Sequence, residues 1–91
     1  MVVVTTFWLT VEHDQPGGHD FQVLATIRRT LLGLASHGFI TDVQTYSSTE
    51  VTSWSYHPGT EDGGEILAGL VDTAKALAPK HWRLIDGVTD G

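Results

Sequence analysis

Between residues 20 and 38 the chain, DFQVLATIRRTLLGLASHG, places apolar side chains at the spacing of an amphipathic helix. At about 100° per residue, Phe21, Val23, Leu24, Ile27, Leu31, Leu32, Leu34 and Ala35 fall on one half of the wheel. Gln22, Thr26, Arg29, Thr30, Gly33, Ser36 and His37 take the other half. Arg28 stands on the apolar edge, where its stem packs while the guanidinium reaches water. Asp20 is placed to cap the first turn, and Gly38 suits a left-handed C′ position with Phe39 folding back on the last turn. A stripe this wide needs a surface to cover it, and the flanking segments read as strands.

Residues 2–11 alternate. Val3, Thr5, Phe7, Leu9 and Val11 make the better core face. Val2, Val4, Thr6, Trp8 and Thr10 are still apolar enough that this strand is expected to be central and covered on both sides. Residues 12–19, EHDQPGGH, read as a loop because of Pro16-Gly17-Gly18. Residues 39–46 and 51–56, dense in β-branched and aromatic side chains, predict two strands joined through Ser47-Ser48-Thr49-Glu50 by a loop or bulge. After the His57-Pro58-Gly59-Thr60 turn, Asp62 and Glu65 have capping-box spacing. Ile66, Leu67, Leu70, Val71, Ala74, Leu77 and Ala78 then form a second helical stripe, stopped near Pro79. Residues 81–85, HWRLI, predict a short last strand. The expected organisation is one domain over residues 1–86 and a loose tail over 87–91.

The resulting order, β-α-β-β-α-β, resembles the ferredoxin-like split βαβ arrangement. It implies an α+β two-layer sandwich, with a four-stranded antiparallel sheet in the order 4-1-3-2 and two helices on one face. The opposite face is then open. Val4, Trp8, Trp54 and Tyr56 are the candidate interface residues on or near it, since a contiguous apolar patch on a sheet calls for a partner. Face-to-face pairing with a second copy is the simplest covering, and another protein is the other.

Composition narrows the classes. With 91 residues, 41% hydrophobic and 18% charged, the chain suits a single globular domain. Five Lys and Arg against eleven Asp and Glu give a net charge of −6, and only Arg28 and Arg29 are adjacent cations, which argues against nucleic acid as a partner. The absence of cysteine excludes disulfides and thiolate metal sites. Residues 1–11 have no basic leader and no stretch is long enough to span a bilayer, so the expectation is a cytoplasmic protein without a membrane partner.

Candidate chemistry is sparse. His13, His19 and His81 are expected at one edge beside Glu12, Asp14 and Asp20, with His37 and His57 at the other. Three imidazoles and carboxylates are zinc-compatible donors, but no two histidines stand at i, i+4, and solvated loop histidines are the expectation, with no metal. Pro16-Gly17-Gly18 lacks a phosphate-loop pattern, and Asp14 and Asp20 would repel an anion there. None of Ser36, Ser47, Ser48, Ser53 and Ser55 stands in a Gly-x-Ser-x-Gly elbow. The expected function is therefore a small acidic, non-catalytic interaction module without a cofactor, such as an accessory, inhibitor or assembly protein. The alternative is a cofactor-independent enzyme or small-ligand carrier of the dimeric α+β barrel type. Its pocket would lie between sheet and helices, lined by Phe7, Tyr56 and Trp82, with His13 or His81 at the mouth.

Overall fold

The computed structural model describes residues 4–14, 17–60 and 62–90. In chain order these form β1 (Thr5–Glu12), α1 (Gly18–Ser36), β2 (Ile40–Ser47), β3 (Val51–Pro58), α2 (Gly63–Leu77) and β4 (Arg83–Asp90). The strands make one antiparallel sheet, β2-β3-β1-β4, which is the expected order read from the other edge. Two helices complete a two-layer α+β sandwich of ferredoxin-like order. The expected strand positions of Val2 and Val3, and Pro16 of the loop, lie outside the described residues.

Local chemistry sets the helix ends. α1 starts earlier than expected, with Gly17 as N-cap, and Asp20 sits at N3, where its carboxylate accepts the Gly17 N–H at 3.0 Å. Its far end closes as the sequence reads. Gly38 has φ 79°, its N–H donates to the Ala35 carbonyl, and the Phe39 N–H donates to that of Leu34, each at 3.0 Å. At α2, Asp62 caps by accepting the Gly64 N–H at 2.8 Å, and the helix ends before Pro79.

Residues 87–90 are not a tail. They continue β4, pairing Gly87 with Trp8 and Thr89 with Thr6. β1 is central, so its backbone donors and acceptors need partners along both sides, and this segment supplies those of its first half.

The core gathers Leu9 and Val11 from β1, Val23, Ile27 and Leu31 from α1, and Leu67, Leu70 and Ala74 from α2. Phe21 and Leu32, expected in the α1 stripe, are exposed instead. A larger correction concerns β3. Trp54 pairs with Leu9, and Tyr56 with Phe7, so both aromatics share the helix-covered face of the sheet. They are 2% and 1% exposed and belong to the core, not to the open face.

Tyr56 ties the two layers together. Its ring stacks on Phe7 at 5.6 Å between centroids, and its hydroxyl donates to the Gly63 carbonyl at 2.9 Å, at the start of α2. Burial first, and then the Asp62 charge, raise the phenol well above its ordinary value of 10. The contribution to stability is therefore complete below pH 10. Above it the unfolded chain ionises while the folded phenol holds its proton, so stability falls as pH rises. Tyr56→Phe is expected to cost about 1 kcal/mol at neutral pH for the lost hydrogen bond. The same variant should show a shallower loss above pH 10 in urea melts, and equal alkaline slopes for both proteins would refute the linkage.

One irregularity marks the sheet edge. The β2–β3 register shifts between Thr41 and Gln44, where Asp42 takes φ 53°. The Asp42 carboxylate accepts from the Gln44 amide at 2.8 Å and lies 3.5 Å from Nδ1 of His57.

Candidate functional site

Two surfaces stand out, one on each side of the sheet. On the open side, cross-strand pairing lays out two complete central rows. Gln44, Ser55, Trp8 and Gly87 form one; Tyr46, Ser53, Thr10 and Ile85 form the next. None of these eight residues is charged. Charges begin only beyond them, with Glu12 and Arg83 4.0 Å apart towards one end and Asp42 beside His57 towards the other. Trp8 is half-buried because its indole lies across Gly87, where a Cβ would overlap the ring. Thr10 and Ser53 hydroxyls bond each other at 2.9 Å, and Tyr46 stands 63% exposed. Of the four residues expected at an interface, Trp8 is on this face and Val4 is exposed just before β1. Trp54 and Tyr56 are on the other side, and Tyr46 was missed.

On the helix side, β1 and β3 continue their inward alternation to His13 and Thr52, both buried. The His13 Nδ1 lies 2.6 Å from the Asp14 carbonyl and its Nε2 lies 2.8 Å from Thr52 Oγ1, which is 3.0 Å from Ser47 Oγ. A carbonyl only accepts, so Nδ1 carries the proton, and in the tautomer with its proton there Nε2 accepts from Thr52. Thr52 then accepts from Ser47. Asp14 takes the left-handed conformation, φ 54°, and the N–H groups of His13 and Asp14 both donate to the Glu50 carbonyl at 3.0 and 3.1 Å. The corner that turns the Asp14 carbonyl back on the imidazole is thus pinned to the β2–β3 turn. His13 also meets Trp82, 5.9 Å between ring centroids.

The expectation of a solvated loop histidine is wrong for His13, which is 1% exposed. The signal was present as parity: Phe7, Leu9, Val11 and His13 share one face. His81 is exposed, and the side chain of His19 lies outside the described part. Among the described residues no three His, Asp or Glu side chains converge as metal ligands. No helix among them is long and apolar enough to cross a membrane.

Beside this chain runs a groove of about 310 Å³ between α1 and the β2–β3 hairpin. Phe21, Leu24, Ala25 and Arg28 form the helix wall; Thr45, Ser47, Thr52 and Trp54 form the sheet wall. Of the residues expected to line a pocket, Phe7 stacks on Tyr56 and Trp82 is buried in the core. The Ser47–Thr52–His13 chain orders hydroxyls along the groove. A backbone carbonyl, that of Asp14, orients the ring.

Comparison with protein-family models, curated proteins and solved structures finds no match to this chain.

Proposed function

We propose that this chain is a non-catalytic interaction module that associates with a second copy of itself through the open sheet face. The observation that carries this reading is the uncharged pair of central rows around Trp8 and Tyr46. Interface centres are depleted of charge and enriched in Tyr and Trp, and an ordinary solvated face of an acidic protein would carry carboxylates. Two copies bearing −6 each repel, so a self-contact is favoured where charge is lowest. The Ser, Thr and Gln groups there both donate and accept, which lets the surface complement its own copy.

Size sets the strength. Strands of eight residues rise about 26 Å and four of them span about 19 Å, offering roughly 500 Å² per copy. About 1,000 Å² in total is the lower limit for a specific interface, so the dimer is reversible and concentration-dependent. Light scattering across a dilution series is expected to show dimer giving way to monomer. Tyr46→Lys, an exposed position outside the core, should remain monomeric at every concentration while keeping the wild-type circular dichroism. A wild-type chain that stays monomeric at its highest soluble concentration overturns the reading, as does a Tyr46→Lys variant that dimerises like the parent.

A further inference from the structure

The groove on the helix side is separate from the proposed dimer face, and its lining has its own chemistry. Leu24, Phe21 and Trp54 give it apolar surface, and Thr45, Ser47 and Thr52 bring hydroxyls. Arg28 also lines it. Only five cations exist in this chain. Arg83 lies by Glu12 and Arg29 donates to Thr26 at 3.5 Å, whereas Arg28 has no hydrogen bond or ion pair among the described residues. An exposed arginine without a carboxylate partner among the described residues, in a protein with eleven acidic residues, marks a local exception to the overall charge. A second polar group is also unspent: Nε1 of Trp54 is buried with no hydrogen-bond partner, although its ring forms part of the groove wall.

We propose that the groove between α1 and the β2–β3 hairpin binds a small apolar monocarboxylate, its anionic end at Arg28 and its body along Phe21, Leu24 and Trp54. The guanidinium fork matches a planar carboxylate and forms charge-assisted bonds with it. The volume, near the lower end of the range of about 300–1,000 Å³ for ligand pockets, restricts the occupant to a small molecule. Polyanions are disfavoured, because one cation serves the site. Glu12, Asp14 and Glu50 line a separate acidic concavity at the same end of β1 and β3, so an anion is directed to the Arg28 side. The hydroxyl chain holds Ser47 and Thr52 in fixed positions along the sheet wall, which lowers the ordering cost of binding.

The test uses the full chain and 4-phenylbutyrate, with 4-phenylbutyramide as its uncharged counterpart, followed by NMR. Saturable shifts of the Trp54 indole N–H and of the Ala25 and Thr45 amides are expected with the acid. The amide should bind at least roughly tenfold more weakly, as should the acid to Arg28→Gln. Arg29→Gln should bind like the parent. Ala25→Phe, at an exposed helix position, fills the groove and should abolish binding without unfolding the chain. No saturable shift with the acid overturns the proposal. So does equal affinity for acid and amide, or an unchanged affinity in Arg28→Gln or Ala25→Phe. None of these readouts depends on the dimer, whose own test is molecular mass.

Discussion

Trp54→Ala is expected to lose about 3–5 kcal/mol of unfolding free energy. That is a large part of the roughly 5–15 kcal/mol that holds a domain of this kind folded. The ring is 2% exposed, pairs across the sheet with Leu9, and shares the core with residues from both helices. Truncation leaves a cavity that two helices and a sheet cannot close together. Trp8→Ala should cost only about 1–2 kcal/mol of the fold of a single copy, since within that copy the ring is only half-buried, against Gly87. Urea melts analysed at constant m-value compare the two directly. Equal losses, or a larger one for Trp8, would place the wrong tryptophan in the core. Trp54→Phe sharpens the comparison. It keeps most of the volume and removes the unpartnered N–H, so its cost should stay under about 1.5 kcal/mol.

The second large effect is expected at Thr52. Its hydroxyl gives His13 Nε2 a donor at 2.8 Å and takes one from Ser47 at 3.0 Å, at a position that is 3% exposed. Thr52→Val preserves the shape and removes both bonds, leaving a buried imidazole nitrogen without a partner. The expected loss is about 1–3 kcal/mol. Adding His13→Leu removes the stranded nitrogen as well, so the double variant should lose less than the sum of the single ones. A double-mutant cycle measures that difference, and strict additivity would mean the two side chains do not interact. Nitrogen shifts of the His13 ring offer a second check, since the Nδ1–H tautomer is required by the Asp14 carbonyl 2.6 Å away.

Much of the architecture was legible because periodicity reports burial. The α1 positions Val23, Leu24, Ile27 and Leu31, and the α2 positions Leu67, Leu70, Val71 and Ala74, face inward as their spacing requires. The cap at Asp62 and the left-handed Gly38 were equally plain, each being a local backbone requirement. What escaped were properties shared between strands. Period two groups Trp54 with Tyr56, but which side of the sheet they take is fixed by pairing with Leu9 and Phe7, and no single strand contains that register. The same gap hid the surfaces. Tyr46 joins Ser53, Thr10 and Ile85 only through the ladder, and Ser47 meets Thr52 across a turn. His13 was lost for a different reason: Pro16-Gly17-Gly18 announced a loop, and the inward alternation of β1 runs one residue past the strand's last residue.

The kink at Asp42 has a consequence for growth. An outermost strand with a regular row of free amides and carbonyls invites another chain to continue the hydrogen-bonded ladder indefinitely. Here the register slip between Thr41 and Gln44 interrupts that row on one rim, while the opposite rim strand carries Arg83, Asp86 and Asp90. Neither rim offers a clean template, so an open-ended fibre is disfavoured by the same few side chains that finish the layer.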